Sequence, residues 1–524
     1  MFPNRTFISD TTEALQRDVG AFLPELVLCG TIVLLLLSRF HPATRRIHAA
    51  VLALLGTVAA LVVAVGFWPG TGGWDNLVPA SGRLTGFSGL LAFDLFGLYV
   101  RVFLLAFLVL ALWLSLLTGI PDVEDSADYV TLLVGGTLGM MLMASANHLL
   151  MAFIAIEMAS LPSYALSGFL KGRRQGSEAA LKYVIYGASA SGVMLYGISL
   201  IAGTVGTGGF DAIAQSGTLQ MPLPVVVGAA CVLVGLGFKL AAVPFHFWCP
   251  DVFTGAAAEV GAFLSVASKA AALALTTRFL FVLAPLGDAK TELVAGTVSL
   301  MWGAAAAVTT TFGNLAALRQ TNLKRLLAYS TIAHAGMMMF ALAPVGPKAV
   351  GPLLFYMSAY LLMNLGAFAV VALVRNATGS EDIEAYRGLA RRSPILAVGM
   401  AVFLLSLLGL PPLAGFAAKF QVFAGLYETG RQYRGDDTAF AWLYFGLLAI
   451  AALNTAISAG YYLKVVRAMT LDDAADAPPI RVSVGGRLLI ALLVGLVFAV
   501  GVFWGPLAEV ADRAAAAFGT GGGR

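Results

Sequence analysis

The sequence predicts an all-α polytopic membrane protein, and two observations carry this prediction. Of its 524 residues, 59% are hydrophobic and only 11% are charged, whereas a soluble globular chain carries about 25% charged residues. The mean hydropathy is +0.87, and the apolar residues form repeated runs that are long enough to cross a bilayer as helices. We therefore expect residues 1–524 to form a single integral membrane domain.

Fourteen apolar runs are the candidate membrane helices. In chain order these spans cover 20–38, 47–67, 91–118, 129–144, 149–170, 179–203, 223–248, 256–285, 293–313, 325–342, 351–373, 394–423, 438–463 and 488–505. The residues before the first span are polar and mixed in charge, and no small-residue cleavage site follows it. We therefore do not expect a cleaved signal peptide.

The distribution of Lys and Arg predicts the orientation of the spans. Seventeen of the 32 basic residues lie in the loops that follow odd-numbered spans, and nine lie on the opposite side, which includes both termini. Cytoplasmic loops carry the excess of positive charge in membrane proteins. We therefore expect a multi-pass protein of the cell (inner) membrane with both termini on the non-cytoplasmic side.

Several charged residues lie within the spans, where they are costly. These residues are Asp94, Arg101, Glu157, Lys182, Lys239, Lys269, Arg278 and Lys419. Because a lysine at the centre of a membrane helix costs about 2.5–3.5 kcal/mol, these side chains should face protein or water. We expect Asp94 to pair with Arg101, seven residues away on the same helix face, and Arg278 to have a structural role near a span end.

The most specific candidates for a proton or ion path are Glu157, Lys239, Lys269 and Lys419. Two of the lysines lie beside proline breaks: Pro244 follows Lys239 in the seventh span, and Pro411 and Pro412 precede Lys419 in the twelfth. Proline removes a backbone donor and clashes with the preceding turn, so carbonyls near Leu240 should lose their helical partners. In a membrane those carbonyls must meet water or polar side chains.

Two histidines are weaker candidates. His246 lies beside the first proline break, and His334 lies within the tenth span. An imidazole can relay protons because its unperturbed pKa is close to neutral. A packing role accounts for either residue as well.

The two broken spans also suggest an internal repeat. They are five spans apart, so spans 4–8 (128–285) and 9–13 (293–467) are candidate five-helix repeats. An odd number of spans in each repeat forces the second repeat into the inverted orientation. Paired, interrupted helices are typical of binding and transport sites near the membrane midplane.

The chain shows no motif for a redox centre or a nucleotide. Its three cysteines, Cys29, Cys231 and Cys249, form no CxxC pair. Neither a P-loop nor a dinucleotide-binding glycine fingerprint is present. We therefore expect no cofactor and no metal in this chain.

Several stretches resemble a known family. They are IEMASLPSYAL (156–166), EAALKY (178–183), FKLAAVPFHFWCPDVFTGA (238–256), NLKRLLAYSTIAH (322–334) and GLPPLAGFAAKF (409–420). In these stretches the chain resembles subunit N of the bacterial proton-pumping NADH:quinone oxidoreductase, respiratory complex I, which is the counterpart of mitochondrial NADH dehydrogenase subunit 2. One departure is Cys249, where the family usually has Thr.

The resemblance implies a role for each buried charge. Glu157 and Lys239 would be the interacting pair of the first half-channel, and Lys269 would be the central proton carrier. Lys419 would be the terminal lysine of the second half-channel, and Lys182 an accessory modulator. The chain would then be a subunit of a proton-pumping translocase, with no redox chemistry of its own.

The resemblance also implies partners and leaves two alternatives. FMN and iron–sulfur clusters would lie in partner subunits, and the whole complex would handle NADH and quinone, with no nucleic acid. The partners would be the other membrane subunits, the peripheral arm and the lipid bilayer. One alternative is a subunit of a multisubunit cation/proton antiporter or membrane-bound hydrogenase. The other is a structural scaffold whose buried charges only hold helices together.

Overall fold

The computed structural model describes residues 5–38, 49–69, 78, 82–120, 125–170, 174–216, 222–284, 289–434, 438–472 and 478–518. In these ranges the chain forms twenty α-helices and one sheet of two antiparallel strands. The predicted all-α class is confirmed.

The elements follow the predicted order of spans. The first part contains α1 (Arg5–Ala21), α2 (Leu23–Ser38), α3 (Ala49–Gly66), β1 (Arg83–Gly86), β2 (Leu91–Asp94) and α4 (Leu95–Thr118). Spans 4–8 contain α5 (Ser126–Ser145), α6 (Leu149–Ser167), α7 (Arg174–Val205), α8 (Phe210–Gln215), α9 (Leu223–Leu240), α10 (Trp248–Gly255) and α11 (Ala258–Leu283). Spans 9–13 contain α12 (Ala289–Ala317), α13 (Leu323–Leu342), α14 (Pro347–Thr378), α15 (Leu389–Arg392), α16 (Pro394–Leu408), α17 (Ala414–Gln432) and α18 (Thr438–Thr470). The last helices are α19 (Val484–Val502) and α20 (Trp504–Ala515).

Every predicted span coincides with a helix or with a pair of helices, except that the first four residues of the third span, Leu91–Asp94, form β2. Within the described ranges, ten helices are long and apolar enough to cross a membrane. An eleventh span results if Thr12–Ala21 and α2, which meet at an angle of 71°, are counted as one. The other predicted spans coincide with α12, α13 and the broken pair α16–α17. In α13 the apolar character is diluted by buried polar side chains such as Lys324, Ser330 and His334.

Both predicted helix breaks are present. The seventh span stops at Leu240 and resumes at Trp248, and the twelfth stops at Leu408 and resumes at Ala414. Each first half ends in the left-handed conformation, at Ala241 (φ 54°) and at Gly409 (φ 93°). The prolines that follow explain the breaks, because their rings exclude the backbone of a continuing helix.

The two five-helix sets share the same internal contacts. In spans 4–8, α5 packs against α6 and α11, α7 packs against α6 and both halves of the broken helix, and α9 packs against α11. The equivalent pairs pack in spans 9–13: α12 with α13 and α18, α14 with α13, α16 and α17, and α16 with α18. These matched contacts support the two repeats, whose boundaries at 128–285 and 293–467 stay a prediction.

The centre of the protein lies between α11 and α14, which pack against each other. Almost every side chain of α11 and most of those of α14 are buried. By contrast, α2, α3, α7 and α19 expose large apolar side chains along one face, as lipid-facing helices do. Lys269 lies in α11, so it is remote from lipid.

Two buried ion pairs anchor the helices that precede the repeats. Arg278 of α11 donates to both carboxylate oxygens of Asp94, at 2.8 and 2.7 Å. Arg101 of α4 lies 2.7 Å from the Glu25 carboxylate of α2. The predicted Asp94–Arg101 pair is therefore wrong, although both residues lie in the predicted third span. Asp94 caps α4 by accepting from the Gly97 amide at 2.7 Å, which turns its carboxylate toward α11.

We expect Arg278→Met to destabilise the assembled complex, because it leaves the Asp94 carboxylate buried without its counter-charge. Loss of one partner of a buried ion pair typically costs about 3–5 kcal/mol. The midpoint of thermal unfolding of the purified complex should fall, and the double variant Asp94→Asn/Arg278→Met should recover part of the loss. A single variant as stable as the wild type would contradict this structural role.

Candidate functional site

At the first helix break a buried lysine binds the carbonyl that the break leaves unpaired. Lys269 Nζ, from α11, donates to the carbonyl oxygen of Leu240, the last residue of α9. The indole of Trp248 donates to the Phe238 carbonyl at 3.0 Å. On the far side of the break, the Val243 amide donates to the Thr309 hydroxyl of α12 at 3.1 Å. The predicted need for polar partners near Leu240 is confirmed.

Lys239 lies in the last turn of α9 and is 1% exposed. Within the described part of the chain its Nζ has no hydrogen-bond partner. Glu157 of α6 acts on it electrostatically without forming an ion pair. Instead, Glu157 Oε1 accepts from the Ser191 hydroxyl of α7 at 2.5 Å. The two members of the predicted pair therefore interact electrostatically but do not form a hydrogen bond or an ion pair.

Lys182 forms ion pairs with Glu178 and Asp251, and not with Glu157. Its Nζ lies 2.8 Å from Glu178 and 2.8 Å from Asp251, and Arg325 of α13 binds the other Asp251 oxygen at 2.9 Å. Lys182 and Glu157 therefore form no ion pair in this arrangement. Asp251 was missed by the sequence interpretation, although an acidic residue in the first turn of α10 is favoured by the helix dipole.

The second break uses a lysine in the same way as the first. Lys419 Nζ, from α17, donates to the carbonyl of Leu408, the last residue of α16, at 2.9 Å. The Ser406 hydroxyl accepts from the Gly415 amide at 3.1 Å, across the break. At both breaks, then, an ammonium group that is buried in the protein stabilises the end of a half-helix.

His334 connects this second break to a group of tyrosines. Its Nδ1 lies 2.8 Å from the Tyr356 hydroxyl and its Nε2 lies 3.1 Å from the Tyr462 hydroxyl. Lys419 and His334 line the same small polar cavity, together with Thr310, Asn314, Ala333, Met337, Tyr356, Asn454, Ser458 and Tyr461. The tyrosines and asparagines were not predicted, because they come from separate helices and have no sequence motif.

His246 has a different environment. It lies on the segment between α9 and α10, and its ring contacts Phe247 and Phe312, with both ring centroids 4.3 Å away. Its Nδ1 has no hydrogen-bond partner among the described residues. The structure therefore places His246 at the first break and joins it to none of the buried charges by a hydrogen bond.

The described residues contain no group of three or more His, Cys, Asp or Glu that could hold a metal ion. Cys29, Cys231 and Cys249 are free. The site is lined by ammonium, carboxyl, imidazole and hydroxyl groups, which can hold and pass protons.

The comparisons with known proteins agree on one family. Residues 146–433 match the family model described as NADH:quinone oxidoreductase/Mrp antiporter, TM. NADH-quinone oxidoreductase subunit N of Anaeromyxobacter sp. (strain Fw109-5) is 41% identical over 510 residues, which cover 94% of this chain and 95% of the relative. NADH-quinone oxidoreductase subunit N 2 of Sorangium cellulosum is 40% identical over 513 residues, which cover 95% of this chain and 97% of the relative.

The chain belongs to the NADH-quinone oxidoreductase subunit N family. A chain of respiratory complex I from Thermus thermophilus with bound aureothin is 31% identical, with a TM-score of 0.72, and the match covers 93% of this chain and 98% of that one. A chain of the archaeal membrane-bound sulfane sulfur reductase has a TM-score of 0.81 at 20% identity, covering 96% and 98%. A chain of the Mrp complex from Dietzia sp. DQ12-45-1b has a TM-score of 0.76 at 20% identity, and the match covers 94% of this chain and 97% of that one. The last two share the fold.

Membership of the subunit N family confirms the predicted resemblance. The chain is a multi-pass membrane subunit of a proton-translocating complex, and it associates there with other membrane subunits. The fold alone does not distinguish this family from antiporter-type relatives, because the Mrp chain is superimposable on it. The higher sequence identity to the subunit N relatives, 41% against 20% for the Mrp chain, makes that distinction.

We expect Gly409→Ala to impair proton translocation. Gly409 has a φ of +93°, and a Cβ built on it would lie 2.9 Å from Cδ of Lys419. An alanine in the left-handed region costs roughly 1–2 kcal/mol, and relief of the contact requires the Lys419 side chain, which binds the Leu408 carbonyl, to shift. Gly425→Ala in α17, the helix of Lys419, is the matched control, because nothing lies within 4 Å of its added Cβ. Equal pumping by the two assembled variants would contradict the close fit of Lys419 at the break.

Proposed function

We propose that this chain moves protons through buried lysines at two broken helices, as the subunit N component of NADH:quinone oxidoreductase. One observation carries the proposal. At each break the carbonyl at the end of the first half-helix is bound by a buried lysine, Lys269 at Leu240 and Lys419 at Leu408. A purely structural break could be satisfied by a neutral side chain, which is less costly to bury.

The proposed roles follow from these positions. Lys269 is the central carrier, because it lies in the buried helix α11 of the first set, which packs against α14 of the second. Lys419 carries the proton at the second break, and His334 relays it through the shared cavity. Glu157 and Lys239 form the first half-channel, His246 lies at its broken end, and Lys182 modulates it through Asp251.

A change of contact between Glu157 and Lys239 supplies a switch. In the present arrangement Glu157 is held by Ser191 and is apart from Lys239. At about 4 Å and an effective dielectric constant near 20, an opposite-charge contact is worth about 4 kcal/mol before desolvation. Forming or opening that contact would change the proton dissociation constant of either group by roughly a factor of 10³. A shift of this size in the local field is sufficient to move a proton onto or off a neighbouring buried lysine.

The redox chemistry is assigned to other subunits. Electrons from NADH pass through FMN and iron–sulfur clusters in partner subunits to quinone, and this chain converts the resulting conformational or electrostatic change into proton movement. The excess of Lys and Arg in the loops after odd-numbered spans supports placing both termini on the non-cytoplasmic side.

Sequence identity favours this function over the antiporter or hydrogenase alternative. The subunit N relatives are 35–41% identical over nearly the whole chain, whereas the Mrp chain is 20% identical. A structural scaffold is disfavoured because it needs neither two broken helices nor a buried lysine at each.

We expect Lys269→Ala and Lys239→Ala to slow proton translocation by about tenfold or more, since positioned proton-transfer groups typically contribute at least that much. The rate should be measured in proteoliposomes that contain the assembled complex. Lys348→Ala is the control, because Lys348 is an exposed lysine at the start of α14. If the two buried-lysine variants assemble and pump at the wild-type rate, the lysines have only a structural role and the proposal is wrong.

A double-mutant cycle tests the pair. Glu157→Ala and Lys239→Ala should each reduce pumping, and the double variant should pump no more slowly than the worse single variant, because coupled partners lose one shared interaction. Glu157→Asp, which keeps the charge, should lose less than Glu157→Ala. Strictly additive losses would show that Glu157 acts independently of Lys239.

A further inference from the structure

Glu259 is a buried acid that the proposed pathway does not use. It lies in the first turn of α11, the helix that carries Lys269, and it is 3% exposed. Within the described residues neither of its carboxylate oxygens has a hydrogen-bond partner. A buried carboxylate without partners is strongly destabilising, so its presence calls for a ligand, a proton or water.

The surroundings of Glu259 contain further unpaired polar atoms. Three helices that pack against each other, α4, α5 and α11, meet here. The Ser115 and Tyr129 hydroxyls are buried and close to each other, and neither reaches a partner in hydrogen-bond geometry among the described residues. Tyr129 also interacts electrostatically with Glu259. Thr118 also lies beside the carboxyl, but its hydroxyl donates to the Leu114 and Ser115 carbonyls of its own helix.

We name these four side chains, Ser115, Thr118, Tyr129 and Glu259, the Glu259 pocket. Unpaired buried polar groups that face one another are the usual setting of internal water, which forms about three hydrogen bonds to them. Hydroxyl groups and water around a carboxyl are also the components from which proton relays are built.

The pocket adjoins a group of charges at the ends of α13 and α14. Lys324 and Arg375 act electrostatically on Glu259. Their ion-pair partner is Glu381, at 2.9 Å from Lys324 and 3.3 Å from Arg375. Because Glu381 already neutralises part of this charge and no ion pair joins Glu259 to either base, Glu259 is not required as a fixed counter-ion.

Polar side chains continue from the pocket toward Lys269. Glu259 and Lys269 are ten residues apart in α11, which is about 15 Å along a helix axis. Ser265 lies between them, one turn from Lys269 and on the same helix face. Asn364 of α14 donates to the Ser265 hydroxyl at 2.6 Å, and its own Oδ1 is buried without a partner among the described residues. The Ser265 hydroxyl donates to the Ala262 carbonyl of its own helix at 2.9 Å. A second group of polar side chains therefore lies one turn from Lys269.

From this juxtaposition we propose that Glu259 is the proton-loading residue for Lys269: protons from the side of the positively charged loops bind Glu259 and pass by Ser265 and Asn364 to the central lysine. The inference rests on the proposed function, since it supplies the proton that Lys269 carries. The ends of α4, α13 and α14 that surround the pocket all lead into loops that follow odd-numbered spans, which is the proposed cytoplasmic side.

The test compares Glu259→Gln, Glu259→Asp and Tyr129→Phe in the assembled complex. Glutamine keeps the size of the side chain but cannot take up a proton at neutral pH, so the translocation rate should fall by about tenfold or more. Aspartate keeps a titratable carboxyl and should restore a substantial part of the rate. Tyr129→Phe removes only an unpaired hydroxyl and should give a smaller loss.

Glu25→Gln is the matched control, because Glu25 is an equally buried carboxyl, 0% exposed, that pairs with Arg101 away from α11. Rates are normalised to assembled complex. Wild-type pumping by Glu259→Gln, or an equal loss in Glu25→Gln, overturns the inference. If Lys269→Ala fails to pump while Glu259→Gln pumps normally, only the inference fails. If both pump normally, the proposed function fails as well.

If Glu259→Gln does not assemble, Tyr129→Phe decides the question, since this substitution leaves all charges in place. A slower rate in that variant supports the Glu259 pocket as the loading site. A wild-type rate overturns it.

Discussion

Carbonyl groups that lose their helical partner inside a membrane are the constraint on which this structure depends. Each such group costs several kcal/mol unless a polar atom reaches it. The chain has two of these ends, at Leu240 and Leu408, and a lysine ammonium reaches each of them. The arrangement links the stability of the helix end to the charge of the lysine, because loss of the ammonium proton weakens the hydrogen bond that stabilises this end. The protonation of a side chain can therefore bias the conformation of a half-helix.

The two five-helix sets are also linked through this constraint. The first break receives partners from the second set: Thr309 of α12 accepts from the Val243 amide, and Arg325 of α13 binds Asp251. Lys324 of α13 donates to the Ala256 carbonyl at the end of α10, at 2.6 Å. The second half of the first broken helix is thus held by side chains that belong to the other set. Any movement of α13 would act on the first break directly.

Buried charge serves two purposes in the same chain. The Asp94–Arg278 and Glu25–Arg101 pairs lie at contact distance and tie helices together. In the proposed pathway, Lys269 and Lys419 are bound to carbonyls and Glu157 to a serine hydroxyl. Lys239 and Glu259 have no hydrogen-bond partner among the described residues. Contact pairs resist a change of protonation, since removal of one charge leaves the other buried. A group without a contact partner can gain or lose a proton without leaving a partner charge buried alone, so it is suited to proton transfer.

The sequence by itself determined the membrane class, the fourteen helical spans and both breaks, because long apolar runs and proline act locally along the chain. It also identified the buried lysines, since a charge within an apolar run is conspicuous wherever its partner lies. Only the tertiary structure decided which groups meet. The predicted Asp94–Arg101 pair is replaced by Asp94–Arg278, and Glu157 binds Ser191 where contact with Lys239 was expected. The partners of His334, Tyr356 and Tyr462, come from two other helices. Helix periodicity predicts which residues of one helix share a face. Which residues of a neighbouring helix meet that face is set by packing across the whole bundle.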